Sequence, residues 1–382
     1  MKILLVSSAF LPYPSGISEH VFYLAQELVN LGHQVKVLTT EYPHYWNDWE
    51  DSRSQFEIIR YGKVIFLPLN KSFATFPWGT DIPFRVKQLL KTENFDIIHL
   101  HGCYPPEIGF WALHFSRTVN CVTFHTVGFR KSIFLKLGAL LFTRYAKKLH
   151  GKIAVSQIAQ AWAEPYIKGT YRIIPNGVDC NRFSPDVLPI KKTNQDTPVI
   201  LFVGRLEPRK GILVAIQAFK RIQANFPHAK LFIVGKGPLE QTVQDLVAML
   251  KLKDHCQFFG YVSREELPRY YASADVYLSP ALGGEAQGIV LLEAMACAKP
   301  VVASNIAGYR EVIEHSKNGL LAEPNSADDF AQKVKLILSN PDLKHSLQRN
   351  ARIRAQEYAW PNIVKKIEAY YQELISSYAI RA

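Results

Sequence analysis

Cysteines are few in this sequence, and long apolar runs are missing. Five cysteines occur among 382 residues, and no two have the CxxC or ligand-like spacing of a zinc site. An odd number without such spacing does not indicate a disulfide framework, which favours a reduced, cytosolic setting. No apolar run approaches the about 18 residues of a transmembrane helix, and the start MKILLVSSAF lacks the core and cleavage site of a signal peptide. We therefore expect a cytoplasmic protein.

Acidic residues are outnumbered by basic ones, and the net charge of +12 favours an anionic partner. A phosphorylated substrate, an acidic membrane surface and a nucleic acid all fit this charge. Nucleic acid fits least well, because the basic residues are spread along the chain and no base-stacking motif accompanies them. Clustered carboxylates that could hold a metal ion are also missing, so the sequence gives no indication of a metal site.

Short β-branched or apolar runs alternate with helical patterns along the chain. Before a polar, proline-bearing linker at residues 184–198, the predicted strands are 3–7, 35–39, 96–101, 121–125 and 152–156. After the linker, they are 199–203, 230–235, 256–260, 276–279 and 300–303. Strands that alternate with helices on both sides of a linker predict an α/β fold of two doubly wound domains. Because such sheets bind ligands at the carboxyl ends of their strands, we expect the site in a cleft between the domains.

Two glutamates with seven residues between them mark the most informative stretch, residues 279–304. A glycine-rich approach indicates a loop through Glu285, followed by a helix that begins near Gly288 and carries Glu293. Amides in the first turn of such a helix bind anions. The residues alone equally allow an ordinary buried helix, with a glutamate placed near its N-terminus by the helix dipole.

A basic turn follows the predicted strand 199–203. Arg205 and Lys210 lie in this turn, where a guanidinium and an ammonium could bind one diphosphate together. The turn has the pattern of neither a P-loop nor a dinucleotide fingerprint, and a solvated basic turn explains the same residues. The next strand ends in Gly235, Lys236 and Gly237, a turn that lets backbone approach a flat ligand closely.

Five motifs occur along the chain in a fixed order. They are IPNGVD, GRLEPRKG, VGKGPLE, FFGYVSREELPRYYASADVYLSP and GGEAQGIVLLEAMACAKPVVAS. Together they resemble the large family of retaining nucleotide-sugar glycosyltransferases with the GT-B fold, the glycosyl transferases group 1. This family includes glycogen-synthase-like and phosphatidylinositol-mannosyltransferase-like enzymes. The resemblance covers nearly the whole chain, is densest over residues 199–324, and implies two Rossmann-like domains that face each other across a cleft.

The resemblance also implies what each domain binds. Residues 1–190 are expected to form an acceptor-binding domain, on which a last helix at about residues 362–382 packs back. Residues 191–361 are expected to form the domain that binds the nucleotide sugar. The implied donor is a UDP- or GDP-linked sugar, the implied acceptor is lipid-linked or a glycan, and no cofactor is implied.

Positions in the second predicted domain match the donor-binding motifs of the family. By resemblance, Arg205 and Lys210 bind the diphosphate, and Glu293 binds the ribose. The base is expected beside Gly237. The phosphates are also expected to meet amides where the helix opens, and these amides belong to Gly288, Ile289 and Val290.

The resemblance further implies two catalytic residues, Glu285 in contact with the transferred sugar and His125 near that sugar. The residues alone favour a different reading of His125, that of an ordinary histidine at a strand end. The chain departs from the family pattern twice. Ser15 stands before Gly16 where two glycines are frequent, so close backbone approach to the donor phosphate depends on Gly16. Gln287 stands where an aromatic residue is frequent, which leaves the donor sugar open.

The implied reaction moves a hexosyl group with retention of configuration and without a metal. Fixed cations and helix amides can stabilise the diphosphate leaving group by preorganised electrostatics. Retention is implied by the family alone, because the carboxylate-separation rule applies to hydrolases. Two alternatives stay open, a sugar-nucleotide epimerase of the same fold and a non-catalytic partner subunit.

A basic amphipathic segment is predicted over residues 129–149, where six basic residues are interleaved with a wide apolar face. Such a helix can lie in an anionic membrane interface. It can equally be a domain helix with one buried side and a solvated basic rim. The first interpretation places the protein peripherally at the inner face of the membrane.

Overall fold

The computed structural model describes residues 1–43, 51–69, 72–105, 107–127, 144–190 and 197–380. The chain forms two compact units. Unit 1 comprises Met1–Gly177 and Trp360–Ala382, and unit 2 comprises Val178–Ala359. Within the described ranges, no helix is long and apolar enough to cross a bilayer.

The first unit boundary lies earlier in the chain than the predicted division between residues 190 and 191. Val178 and Phe183 are buried in the core of unit 2, because they pack with its helices and strands. The Arg352 guanidinium also donates to the carbonyl oxygens of Cys180 and Phe183, each at 3.1 Å. The chain returns to unit 1 at Trp360, so the last helix includes two residues before the predicted start.

Unit 1 contains an eight-stranded sheet with the order β4-β3-β2-β1-β5-β6-β7-β8. Its strands are β1 Lys2–Val6, β2 Gln34–Glu41, β3 Glu57–Leu69, β4 Ser72–Trp78, β5 Ile97–Leu100, β6 Val119–Phe124, β7 Gly151–Ala154 and β8 Arg172–Ile173. Neighbouring strands are parallel except β3 and β4, which are antiparallel. The central strands are buried on both faces, which explains their continuous apolar sequences.

Helices cover both faces of this sheet. They are Gly16–Asn30, Ile82–Thr92, Ile108–Phe115, Gln157–Ala163 and Trp360–Ala379, with a 3₁₀ helix at Asp51–Arg53. Alternate residues of β1 enter different cores, since Ile3 packs with the first and last helices while Leu4 packs with Ile82–Thr92 and Ile108–Phe115. The alternation follows from the period of two along a strand.

Unit 2 contains a six-stranded, fully parallel sheet with the order β11-β10-β9-β12-β13-β14. Its strands are β9 Val199–Val203, β10 Lys230–Val234, β11 Cys256–Gly260, β12 Val276–Ser279, β13 Val301–Ser304 and β14 Leu320–Ala322. Its helices are Ile212–Gln223, Glu240–Met249, Leu267–Ala272, Ile289–Ala296, Ala307–Arg310, Ala327–Leu338 and Pro341–Glu357, with a 3₁₀ helix at Pro208–Lys210. This strand order is that of the Rossmann fold. The prediction of doubly wound α/β domains is confirmed.

Candidate active site

The switch point of the unit 2 sheet lies between β9 and β12, where the strand order reverses. Loops that leave the carboxyl ends of two such strands form the usual ligand crevice. Here they are residues 204–211 and 280–288, and they are joined by a hydrogen bond from the Leu282 amide to the Arg209 carbonyl at 2.8 Å. Gly211 has φ of 71°, and a Cβ at this position would lie 1.8 Å from the Pro280 carbonyl oxygen. Only glycine lets the two loops approach this closely.

Charged side chains from these two loops form one connected cluster. Glu285 accepts from the Arg209 guanidinium at 2.6 Å and lies 2.8 Å from the Lys210 ammonium. Arg209 also pairs with Glu207 at 2.9 Å, and Glu207 pairs with Arg205 at 3.1 Å. Glu207 and Arg209 were not singled out in the sequence, although they stand in the same GRLEPRKG motif.

The cluster is largely withdrawn from solvent, and its outermost member is Arg205. The exposed side-chain fraction is 3% for Glu207, 10% for Glu285 and 16% for Arg209, against 32% for Arg205. Burial raises the pKa of Glu285, but Lys210 and Arg209 outweigh burial, so that the pKa lies below its ordinary value. Glu285 is therefore ionised at neutral pH and can accept hydrogen bonds from a sugar.

Glu293 lies in the helix Ile289–Ala296, which begins after Gly288 in a left-handed conformation with φ of 91°. Glu293 is buried and accepts a 2.7 Å hydrogen bond from the Tyr271 hydroxyl. The Tyr271 hydroxyl thus fixes the orientation of the carboxylate. First-turn amides such as those of Ile289 and Val290 lack intrahelical acceptors and point out of the helix start, as the anion-site prediction requires.

Replacing Tyr271 with phenylalanine is expected to lower the free energy of unfolding of unit 2 by roughly 1–3 kcal/mol, the range for a buried acceptor that loses its donor. The reason is that Glu293 then stays buried without this donor. Tyr270→Phe, in the same helix, is the matched control, because the Tyr270 ring packs on Phe259 of β11. Urea unfolding followed by circular dichroism measures both. Equal stability of the two variants would contradict the role of the Tyr271 hydroxyl.

The glycine turn after β10 lies directly beside the basic turn after β9. The Leu206 amide donates to the Lys236 carbonyl at 3.1 Å, and the Leu239 amide donates to the Leu206 carbonyl at 2.9 Å. A Cβ on Gly237 would lie only 2.5 Å from the Leu206 carbonyl oxygen. The structure thus brings the predicted base position at Gly237 next to the predicted diphosphate position at Arg205.

Unit 1 carries the two other predicted residues, Gly16 and His125. Gly16 begins the helix Gly16–Asn30, whose N-cap is Ser15, and the Ser15 hydroxyl accepts from the Ser18 amide at 3.1 Å. The loop before this helix leaves β1, which lies with β5 at the switch point of the unit 1 sheet. Ser15, which replaces a frequent family glycine, therefore has a structural function as a helix cap.

His125 follows β6 and is half-buried beside the buried His20 and His101. Its Nε2 atom lies 2.9 Å from His101 Nδ1, and burial lowers its pKa to about 4. His125 is therefore neutral at pH 7. His99 hydrogen bonds through both ring nitrogens, to the Tyr371 hydroxyl at 2.5 Å and the Thr123 hydroxyl at 2.7 Å.

The predicted basic amphipathic segment cannot be compared with the structure over most of its length. Residues 128–143 lie outside the described part of the chain. Of the remainder, Leu149 is buried and Tyr145 contacts His114 through its hydroxyl at 3.2 Å. The membrane interpretation of residues 129–149 stays a prediction.

Solved structures resemble this chain over nearly its full length. The sucrose-phosphate synthase of Thermosynechococcus elongatus matches with a TM-score of 0.78 at 23% identity, covering 98% of this chain and 99% of that chain. At this identity the similarity concerns the fold. Two Rossmann-like units, with a basic turn and paired glutamates at a switch point, define a protein of the GT-B class.

Sequence comparison identifies the family. The model described as "Glycosyl transferases group 1" matches residues 185–354, and "Glycosyltransferase Family 4" matches residues 14–182. A phosphatidyl-myo-inositol mannosyltransferase of Mycolicibacterium smegmatis is 32% identical over 376 residues, 97% of this chain and 94% of that protein. The protein of the same description in Mycobacterium leprae is 30% identical, over 99% of this chain and 98% of that protein. The chain belongs to the group 1 glycosyltransferases, and the predicted resemblance is confirmed.

Proposed function

We propose that the protein transfers a mannosyl group from a nucleoside-diphosphate sugar to a phosphoinositide-type lipid acceptor, with retention of configuration and without a metal ion. The observation that carries this proposal is the cluster of Arg205, Lys210 and Glu285 at the switch point of unit 2. The sugar and the acceptor are taken from the relatives named phosphatidyl-myo-inositol mannosyltransferase, which match the chain from end to end. The donor nucleotide is GDP or UDP.

The donor diphosphate is the group that most needs stabilisation in this reaction. The bond between the anomeric carbon and the phosphate oxygen breaks, and a new bond forms between that carbon and the acceptor oxygen. Negative charge develops on the diphosphate, where Arg205, Lys210 and the amides near Ile289 and Val290 would meet it. Cations and dipoles that are fixed before the reaction stabilise such charge without reorganising, and they supply the charge stabilisation that a metal ion would otherwise provide.

The sugar, the ribose and the base are proposed to bind the remaining predicted residues. Glu285, held ionised by its two cations, would accept hydrogen bonds from sugar hydroxyls. Glu293 would bind the ribose, and the base would lie by Gly237. His125, neutral because desolvation lowers its pKa, would hydrogen bond to the sugar without adding a positive charge beside the cation-like anomeric carbon.

The remaining parts of the proposal concern the contact of Gly16 with the donor and the location of the lipid acceptor. Gly16 would let the backbone at the start of its helix approach the donor phosphate. The lipid acceptor would lie at a membrane surface, which is consistent with the net charge of +12 and its attraction to anionic headgroups. Peripheral association with the membrane is part of this proposal.

Incubating the protein with a panel of GDP- and UDP-linked sugars tests the proposal. Phosphatidylinositol is offered in vesicles, and EDTA is present throughout. We expect one donor, a nucleoside-diphosphate mannose, to yield a mannosylated lipid detected by mass spectrometry, with the donor configuration retained by NMR. Glu285→Gln should lose this activity, whereas Glu265→Gln, an exposed glutamate of the same unit, should retain it.

Other outcomes of this assay would contradict the proposal. Donor hydrolysis or epimerisation without any lipid product would indicate the epimerase alternative. Product formation only after Mg²⁺ or Mn²⁺ is added back would contradict metal independence, and an inverted product would contradict retention. Binding of no donor at all would leave a non-catalytic partner subunit as the explanation.

A further inference from the structure

Three histidines of unit 1 converge at one point. They are His20 in the helix Gly16–Asn30, His101 directly after β5 and His125 directly after β6. Each offers one ring nitrogen, and these three nitrogens lie within 4.8 Å of one another. His20 and His101 are buried, while His125 is half-buried. We call these three residues the histidine cluster.

Hydrogen bonds leave ring nitrogens of this cluster without partners. The Nδ1 atom of His20 lies 2.9 Å from the Asn176 side-chain oxygen, which can only accept, so the proton of His20 is on Nδ1. Its Nε2 atom therefore carries a lone pair, and this buried atom has no hydrogen-bond partner among the described residues. The buried Nε2 atom of His101 is likewise without a partner there. Buried polar atoms of this kind are rare and call for an explanation.

We propose that the histidine cluster is a binding site for one divalent transition-metal ion of the Zn²⁺ type. Three nitrogen atoms no more than 4.8 Å apart can all lie within about 2.8 Å of a central point. A zinc–nitrogen bond is shorter, at about 2.0–2.1 Å. Shifts of the rings by less than about 1 Å would therefore close the site. Neutral imidazole nitrogens suit zinc, copper, cobalt or nickel, whereas Mg²⁺ and Ca²⁺ need oxygen ligands.

The surroundings of the cluster match those of a metal site. A histidine that binds a metal usually donates its other N–H to an oxygen, which fixes the ring and its tautomer. Asn176 has this relation to His20. His99 is close to His101, with 4.3 Å between ring centroids, but both of its nitrogens are already hydrogen bonded. The 2.9 Å hydrogen bond between His101 Nδ1 and His125 Nε2 would open when His125 coordinates the ion. The site then has three ligands, and a fourth position is left for water or another small ligand.

Metal binding has a consequence for catalysis that depends on the proposed function. An ion in the cluster would occupy His125, which we propose to contact the donor sugar. The ion is not needed for transfer under this proposal, and micromolar Zn²⁺ is expected to inhibit it in competition with the donor. Metal binding itself does not depend on the proposed function and can be measured without any donor.

Titration of the tag-free, full-length protein with CoCl₂ tests the site. Co²⁺ has absorption bands in the visible range that intensify when it is bound by few ligands in a tetrahedral arrangement. We expect these bands to saturate at one equivalent and to disappear when ZnSO₄ is added. The matched variants are His20→Gln, which removes a ligand, and His345→Gln, which replaces an exposed histidine of unit 2.

The variants decide the outcome. We expect His345→Gln to bind Co²⁺ like the natural protein, and His20→Gln to lose the bands. Asn176→Ala should weaken binding by about 10- to 100-fold, as for other residues that orient metal ligands. No bands at one equivalent, or equal binding by His20→Gln and His345→Gln, would overturn the proposal. If circular dichroism indicates that His20→Gln is unfolded, His125→Gln replaces it in the same comparison.

Discussion

Replacing Lys210 with alanine is expected to lower kcat/KM for the nucleotide-sugar donor by about 10²- to 10³-fold, the range for loss of one preorganised group that stabilises developing charge. Lys210 is the last residue of the 3₁₀ helix Pro208–Lys210 after β9, and its ammonium is held 2.8 Å from Glu285. Its position is therefore fixed before the donor binds. Steady-state kinetics with the donor identified by the sugar panel measures the effect.

The control for Lys210 is Lys220→Ala in the helix Ile212–Gln223, where the side chain is exposed. This variant removes the same charge from the same unit but not from the turn, and its kinetics should be unchanged. The double variant Arg205→Ala with Lys210→Ala should also lose the thermal stabilisation that a nucleoside diphosphate gives by binding to the folded state. Unchanged stabilisation would contradict the assignment of the basic turn to the diphosphate.

The contact between Lys210 and Glu285 indicates how the donor would enter the site. Both residues are predicted to bind different parts of the donor, and in this structure they bind each other. A donor diphosphate would share the fixed ammonium with Glu285, while Arg209 keeps its own 2.6 Å contact with Glu285. We therefore expect Arg209 to hold Glu285 in place when the phosphate draws on the charge of Lys210.

Strands with uninterrupted apolar sequences were predicted well. The predicted strands at residues 199–203, 256–260 and 276–279 have the observed bounds, because each is a short run between turn residues. The first and the last are buried in the parallel sheet, whereas 256–260 is a partly exposed edge strand. The hairpin of β3 and β4 was not predicted. Gly62, Pro68 and Pro77 interrupt its pattern, and prolines in a run argue against a strand.

Motif positions predict which residues belong to the candidate site, but they do not predict the contacts between those residues. Arg209 and Glu285 are 76 positions apart in the chain, so no local spacing indicates that they pair. His20 and Asn176 are separated by 156 positions, and they were missed for the same reason. The IPNGVD motif containing Asn176 was noticed only as part of the family resemblance. Topology supplies such information, because it brings strand ends that are distant in the chain to one edge of a sheet.

Replacing Arg209 with methionine is expected to lower the free energy of unfolding of unit 2 by about 3–5 kcal/mol at pH 7, the cost of removing one partner of a buried ion pair. Glu207 and Glu285 would then face each other's charge without the guanidinium between them. Methionine keeps much of the apolar volume, so the loss reports the charge. The six tryptophans all lie outside Val178–Ala359, so tryptophan fluorescence would not report on unit 2 directly. Amide hydrogen exchange in the helix Ile289–Ala296 is therefore the better measure of the stability of this unit.

The pH dependence of this loss follows from the lowered pKa of Glu285. A carboxylate whose pKa is lower in the folded state stabilises the fold fully at pH values above its unfolded pKa, which is about 4.5. This contribution is lost as the pH falls from the unfolded pKa through the folded pKa. The difference in stability between Arg209→Met and the natural protein should therefore be largest at neutral pH and should shrink below about pH 4.5. Such convergence identifies the charge interaction, because a loss of packing would persist at acidic pH.

An exposed ion pair of the same unit provides the control for Arg209. Arg221 pairs with Asp328, and both side chains are exposed, by 42% and 72%. Arg221→Met should cost less than about 1 kcal/mol, since solvent screens such pairs. If Arg209→Met and Arg221→Met destabilise unit 2 equally, the buried cluster is not what holds the two loops of the site together. If only Arg209→Met does so, the same side chain that positions Glu285 also stabilises the unit that carries it.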